Sequence, residues 1–288
     1  MKLWKYIFTS LLLILSLAIM ALFQIPDGNL HVISCNVGEG DATLLIYKNN
    51  QILIDGGPDA KVMNCLGKYL PFWDRELELV ILTHPDGDHF TGLINVLRAY
   101  KVDNFLFNPI TVSKPEYKVL ENLLASKHPS FLYPHPGMVI GLDMIRLDIV
   151  APPEQLTNGD SQFSNEKEVP DADTNSYSIV NLVSFGKFKG IFTGDMTPET
   201  SDSLAGNWTY GPVNYIKVPH HGSKNGITEN FLKILTPGLA TVSVGKNNYG
   251  HPNQETLDLL KKYNVRTLRT DQAGDIEVIT DGEKYWTD

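Results

Sequence analysis

The chain has 288 residues, 42% hydrophobic and 20% charged, with a formal net charge of −9. That is the make-up of a folded globular protein, and the charge excludes a broad basic face that grips duplex nucleic acid by charge alone. Two cysteines, Cys35 and Cys65, are too few for a Cys-rich zinc site or a dense disulfide framework. Cys35 falls in an apolar, strand-like run and reads as a buried packing residue.

Tyr6–Ile25 is a stretch of 20 residues without a charge, preceded by Lys2 and Lys5. That length can span a bilayer, and the lysines favour a cytoplasmic N-terminus with the folded part outside. The alternative is a cleavable signal segment, with Ser16-Leu17-Ala18 as its cleavage site. Either way the chain is expected to be exported, anchored if uncleaved and secreted if cleaved. Residues 1–26 form the anchor or signal and residues 27–288 the folded domain.

After a short linker, Leu30–Val37, Ala42–Tyr47 and Gln51–Ile54 read as strands joined by tight turns, which suggests an antiparallel meander. Lys61–Leu70 carries Val62, Cys65, Leu66 and Tyr69 on one helical face. Leu77–Thr83 is a continuous apolar run, expected as a strand buried on both faces. Phe90, Leu93, Ile94 and Leu97 follow the spacing of one amphipathic helix. Further strands are predicted at Asn104–Phe107, Asp143–Val150, Tyr177–Phe185, Lys189–Thr193, Tyr215–Val218 and Leu239–Val244. Further helices are predicted at Pro115–Ser126, Pro198–Leu204, Glu229–Leu235 and Gln254–Tyr263, with a strand pair closing the chain. Pro152–Asp173 is polar and poorly patterned, and a loop of that length in a compact domain is functional or disordered.

Chemistry concentrates at Thr83-His84-Pro85-Asp86-Gly87-Asp88-His89, where four imidazole or carboxylate donors fall within six residues. These are the donors that zinc and similar divalent ions take. Placed between a buried strand and a helix, such a loop can bend so that all four converge. Asp195 follows a glycine at a strand end, where the competing reading is a helix N-cap.

The stretch resembles the His-x-His-x-Asp-His motif of the metallo-β-lactamase superfamily, with Asp86 in place of the second histidine. His-x-Asp-x-Asp-His is similar to the form found in ComEC-type competence proteins and their free-standing relatives. The likeness continues through Val37-Gly38-Glu39-Gly40-Asp41-Ala42, where the family pattern reads Val-Gly-Gln-Gly-Asp-Ala, and through Leu53-Ile54-Asp55-Gly56-Gly57. It goes on through Phe192-Thr193-Gly194-Asp195, Lys217-Val218-Pro219-His220-His221-Gly222-Ser223, Tyr249-Gly250-His251-Pro252, and Arg269-Thr270-Asp271 with Gly274.

The resemblance implies an α/β (α+β) fold: the four-layer αββα metallo-β-lactamase sandwich, preceded by one N-terminal hydrophobic helix. It implies two divalent metal ions, zinc foremost. His84 and Asp86 would hold the first ion, Asp88 and His89 the second, and Asp195 would bridge them. His220 or His221 would complete the second site, with His220 preferred. No histidine lies between His135 and His220 to supply the strand ligand common in the superfamily. Asn175 stands in that region as a weak ligand or substrate contact, and the oxygen-rich first site makes manganese an alternative. Asp55 is expected to orient a ligand rather than to bind. Lys217 and Ser223 would hold an anionic group, and His251 would act as general acid or phosphate contact; Asp88, Lys217 and His251 carry the chemistry.

The expected function is a metal-dependent phosphodiesterase or nuclease acting on DNA, or on another phosphodiester, with the N-terminal helix as its link to a membrane. The chain carries neither the multi-helix channel nor the oligonucleotide-binding domain of full-length ComEC, so translocation by this polypeptide alone is not expected. Fold does not fix chemistry. The alternatives are a hydrolase of a lactone, β-lactam or other ester, and a non-catalytic, metal-stabilised binding module.

Overall fold

The computed structural model describes residues 2–22, 27–152, 167–168 and 171–288. It opens with helix α1 (Lys2–Leu22), whose side chains from residue 4 to residue 16 are all exposed. Among the described residues no helix is long and apolar enough to cross a membrane. Residues 23–26, within or beside the span expected over Tyr6–Ile25, lie outside the described residues.

The meander is present as β1 (Leu30–Ser34), β2 (Thr43–Tyr47) and β3 (Asn50–Ile54), paired antiparallel in turn. Helix α2 (Val62–Tyr69) leads to β4 (Glu76–Leu82), parallel to β3. Helices α3 (Gly87–Phe90) and α4 (Leu93–Ala99) then lead to β5 (Lys101–Phe107). A short β6 (Ile110–Thr111) and α5 (Pro115–Lys127) precede β7 (Ser130–Leu132). The chain continues through β8 (Val139–Leu142), β9 (Ile145–Ala151), β10 (Lys167–Glu168), β11 (Val180–Phe185) and β12 (Phe188–Phe192). It then runs through α6 (Pro198–Asn207), β13 (Tyr215–Lys217), α7 (Glu229–Leu235), β14 (Leu239–Val242), α8 (Gln254–Lys262) and β15 (Arg266–Arg269). It ends with α9 (Thr270–Ala273), β16 (Ile276–Thr280) and β17 (Tyr285–Thr287).

Two sheets result, ordered β17-β16-β1-β2-β3-β4-β5-β7 and β15-β14-β13-β12-β11-β9-β8, with β6 and β10 as a separate parallel pair. Leu45, Ile52, Leu79 and Ile81 of the first sheet share one buried cluster with Leu147, Val183, Phe192 and Tyr215 of the second. The outer face of the first sheet packs on Val62, Leu66, Leu93, Leu97, Tyr117 and Leu120 of α2, α4 and α5. The outer face of the second packs on Phe231, Leu232 and Leu260 of α7 and α8. The layers are therefore α, β, β, α, the fold expected. Each sheet is apolar on both faces because each is covered on both.

The single helix expected after the His/Asp cluster is interrupted between Phe90 and Leu93. Its hydrogen bonds are diverted. The Asp88 carbonyl accepts from Asp41 N (3.1 Å), the His89 carbonyl from Gly56 N (2.7 Å), and Gly92 N donates to Gly57 O (2.9 Å). Gly92 has to be glycine, since a Cβ there would meet Gly56 O at 1.9 Å. The cluster is thus stitched to the loops after β1 and β3.

The closing strand pair is present as β16 with β17, antiparallel. Ahead of it β15 ends the second sheet, α9 crosses over, and β16 returns beside β1. Most of the long polar segment Pro152–Asp173 lies outside the described residues. Strand β8 was not legible because it is a half-exposed edge strand with a glycine in it.

The two cysteines correct the packing reading. Cys35 is buried, but it is joined to Cys65 in a disulfide, with Cα atoms 5.8 Å apart. The bond ties the end of β1 to α2 across a separation of 30 residues. Closing a loop of that length is worth about 3–4 kcal/mol by chain entropy. Reduction, or Cys35→Ala with Cys65→Ala, should therefore lower the thermal midpoint by several degrees in a calorimetric melt. An unchanged midpoint under reductant would rule out this tie.

Candidate metal centre

The chemistry-bearing side chains gather at one end of the sandwich, where the carboxyl ends of strands from both sheets meet. Asp55 follows β3 and His84–His89 follow β4 in the first sheet. Asp195 follows β12, and His220 and His221 follow β13 in the second. Crossover strands deliver their following loops to one edge, which is why residues far apart in sequence converge.

Asp55 organises the first-sheet ligands. It is 1% exposed. One of its oxygens accepts from Thr83 N (2.8 Å), and the other from Thr83 Oγ1 (2.8 Å) and His89 Nδ1 (2.8 Å). With its only proton given to Asp55, Thr83 Oγ1 accepts from His84 Nδ1 (3.0 Å). Both imidazoles therefore carry their proton on Nδ1 and present Nε2. His221 is set the same way, donating from Nδ1 to the Ser243 carbonyl (3.0 Å).

The presented atoms meet. His89 Nε2 lies 3.4 Å from Asp195 Oδ1, and His221 Nε2 lies 3.2 Å from Asp88 Oδ2 and 3.6 Å from Asp195 Oδ2. Among the described residues, His84, His89 and Asp195 form one group able to share an ion, and Asp88, His89 and His221 another. Donors about 2.1 Å from a tetrahedral ion lie roughly 3.4 Å apart. His84 Nε2, His89 Nε2 and Asp195 Oδ1 are buried without a hydrogen-bond partner. Buried polar atoms are normally satisfied, so this cradle of lone pairs fits a divalent cation.

The electrostatics agree. Burial would raise the Asp195 carboxyl, but His89 and His221 beside it hold it well below the usual carboxylate range. Burial would lower His89, yet Asp195 and Asp55 raise it well above its ordinary value. His221 is likewise opposed by burial but pushed up to about 10 by Asp195 and Asp41. The carboxylates that raise these imidazoles, Asp195, Asp55 and Asp41, would attract a divalent ion by the same charges.

The adjacent histidines are separated by backbone geometry. His220, His221 and Gly222 all have positive φ, at 51°, 51° and 80°. At Gly222 a Cβ would meet Pro252 Cβ at 2.6 Å. The left-handed turn sends His221 inward, 2% exposed, and leaves the His220 side chain 25% exposed with Nε2 3.9 Å from Asp195 Oδ2. Both approach Asp195, but His221 is the one gripped by Asp88 and Asp195. Burial lowers His220 below its usual value. Such strain persists where the surroundings over-determine it.

Asp86 turns one oxygen to His84 Nε2 (3.6 Å) and accepts from Lys114 Nζ (2.9 Å) and Thr174 Oγ1 (3.0 Å) with the other. Burial would raise its carboxyl, but His84 and Lys114 lower it below the usual range. Thr197, not Asp195, caps α6, accepting from Thr200 N. Asn175 follows Thr174 and keeps a buried, unpartnered Oδ1. Ser223 lies inside the loop, its hydroxyl accepting from Asn225 N (3.2 Å).

Lys217 differs from the free anion-holding cation expected. It is 3% exposed and its ammonium is bonded to Asp41. Burial would raise the Asp41 carboxyl, but Lys217 and His221 hold it well below its usual range. The pair supports the site from behind, with Asp41 Oδ1 3.5 Å from His221 Nδ1.

Sequence reasoning passed over Asp41 and Glu39 as site residues, although both stand in the quoted Gly-Glu-Gly-Asp turn. Glu39 accepts from His251 Nδ1 (2.9 Å) with one oxygen. With the other it accepts from Gly245 N (2.9 Å) and Asn247 Nδ2 (3.1 Å). The His251 ring stands 5.6 Å from that of His220. Gly40 is what lets the turn close, since a Cβ there would meet the Asp88 carbonyl at 2.4 Å.

The family described as Metallo-beta-lactamase superfamily matches residues 35–246, which include this whole constellation except His251. The chain belongs to the metallo-beta-lactamase superfamily. ComE operon protein 3 of Bacillus subtilis is 28% identical over 262 residues, covering 84% of this chain and 32% of that protein. Recombination protein 2 of Haemophilus influenzae is 27% identical, covering 93% of this chain and 31% of that one. The chain thus spans about a third of the length of these relatives. Among solved structures, the metallo-beta-lactamase fold protein YhfI of Bacillus subtilis superposes with a TM-score of 0.57 at 11% identity, covering 91% of this chain and 100% of that one. That likeness bears on the fold alone. Membership makes the chain a ComEC-like, metal-dependent hydrolase of the superfamily.

Two outcomes follow. Asp55→Ala should weaken metal affinity about 10- to 100-fold in a chelator competition, through loss of ligand orientation. Because His221 is pushed up to about 10 and His89 is raised well above its ordinary value, metal must displace their protons. Affinity should therefore rise with pH from 6 to 9, by about tenfold per unit for each proton released. Affinity that is flat with pH would remove His221 from the ligand set.

Proposed function

We propose that the chain is a phosphodiesterase acting on DNA through two divalent ions, zinc or manganese. The observation that carries it is Asp195, whose Oδ1 lies 3.4 Å from His89 Nε2 and whose Oδ2 lies 3.6 Å from His221 Nε2, so that one carboxylate has an oxygen for each of two ions. His84, Asp86 and Asp195 would hold one ion, with His220 beside it. Asp88, His89, His221 and Asp195 would hold the other. Divalent ions held by these residues would supply Lewis acidity and an activated water for phosphodiester hydrolysis.

The chain's own residues do the rest. Asp55, Thr83 and Ser243 hold three imidazoles in the donor tautomer. The Lys217–Asp41 pair backs His221 instead of touching substrate. His251, with Nδ1 fixed on Glu39, is left with Nε2 to protonate a departing alkoxide. Asn175 offers its unpartnered Oδ1 at the side of Asp86 and Thr174.

The choice of DNA draws support from relatives named for competence and recombination. The likeness covers only about a third of each. Export draws support from the Cys35–Cys65 disulfide, a bond that persists outside reducing compartments. A membrane link draws support from α1, where Trp4, Tyr6, Phe8 and Leu11 to Leu15 are exposed and apolar. In this reading residues 1–26 hold the hydrolase domain, residues 27–288, at a membrane, outside the cytoplasm.

The purified full chain, loaded with zinc or manganese, should cleave single-stranded DNA and bis-p-nitrophenyl phosphate and leave nitrocefin intact. Asp88→Ala should abolish both activities. His251→Ala should cost about 100-fold or more on DNA and far less on the p-nitrophenyl ester, whose leaving group needs no proton. No phosphodiester cleavage with zinc, manganese or magnesium would sink the proposal, and nitrocefin turnover would move the chain to ester or lactam hydrolysis.

A further inference from the structure

Tyr249 is the most exposed large apolar side chain described between residues 27 and 288, at 78%. It does not sit on a loose loop. Three successive amides, of Tyr249, Gly250 and His251, donate to Asn247 Oδ1 at 3.0, 3.0 and 3.1 Å. The Asn247 amide nitrogen in turn donates to Glu39, to Gly245 O and to His251 O. The same Glu39 holds His251. One network therefore fixes the backbone that carries the exposed ring, and the imidazole beside the metal centre.

The geometry is that of a platform. The Tyr249 and His251 rings lie 5.7 Å apart with 30° between their planes. His251 is in turn 5.6 Å from His220, whose Nε2 approaches Asp195. A flat aromatic face thus stands at the mouth of the site, two rings from the donors, and nothing described in the chain covers it. An apolar ring kept in water is unfavourable, and an aromatic side chain with two rotatable bonds on a fixed backbone loses little entropy when something stacks on it.

We propose that Tyr249 forms a nucleobase subsite: a base of the nucleotide next to the scissile phosphate stacks on its ring. The inference rests on the phosphodiester reading above and deepens it. Stacking is how proteins hold single-stranded nucleic acid without reading its sequence. It suits a chain whose net charge of −9 leaves little general attraction for a phosphate backbone. A base within an intact duplex is not open to such a face, so the subsite selects single strands and frayed ends.

The test compares two substrates of equal length, an oligothymidylate and an oligomer of abasic sugar phosphates, on the full metal-loaded chain. Wild type should prefer the base-bearing strand in kcat/KM. In Tyr249→Ala that preference should fall by about 5- to 100-fold, carried by KM, and Tyr249→Phe should restore it. Equal losses on both substrates would make Tyr249 a structural residue and overturn the proposal, as would an unchanged preference in Tyr249→Ala. If wild type cleaves neither strand, the phosphodiester reading itself falls, and this inference with it.

Discussion

The site depends on one buried carboxylate. Asp55 accepts three hydrogen bonds, from Thr83 N, Thr83 Oγ1 and His89 Nδ1. A charge this deep is tolerable only when so fully bonded. Its effect spreads through Thr83, which must turn its oxygen lone pairs to His84. One acid therefore sets the tautomer of two imidazoles and points both Nε2 atoms at Asp195. The backbone conforms to this task, because Asp55 takes a left-handed φ of 60° just before Gly56. Moving the carboxylate by a small amount would turn both rings.

A second buried charge pair, Lys217 with Asp41, plays the complementary part behind His221. The desolvation of two ions is offset by their attraction only when the contact is close and the remaining atoms are placed. Here Asp41 also lends its field to His221, and its own amide and carbonyl bond to Asp88 O and Gly57 N. The loops after β1, β3, β4 and β13 are thereby locked together. The lysine that reads in sequence as a holder of an anionic group is in the fold a brace.

Much of this was legible beforehand, for a physical reason. Strands with apolar residues on both faces, such as Leu77–Thr83, announce themselves by composition, and α7 was expected over the residues it occupies, Glu229–Leu235. The metal cluster was legible because four donors in six residues have no packing explanation. What escaped notice depends on partners distant in sequence. Nothing local to Cys35 reveals Cys65, and nothing local to Glu39 reveals His251, 212 residues away. The choice between His220 and His221 turns on three left-handed φ values, which neighbouring identical side chains do not encode. The break between α3 and α4 is of the same kind, since the periodicity continues while the hydrogen bonds leave for Gly56 and Gly57.

The donors come from both sheets: His84, Asp86, Asp88 and His89 from the loop after β4, and Asp195 and His221 from the loops after β12 and β13. No half of the sandwich contains a complete set. An ion seated there is then a rivet through the two layers, and its binding free energy adds to the docking of one sheet on the other. Chelation would loosen the apolar seam between Leu45, Ile81, Val183 and Phe192 from one end. Loss of metal would thus be felt first as a loss of cohesion between layers, and sensitivity to proteolysis would report the charge state of the centre from the far side of the core.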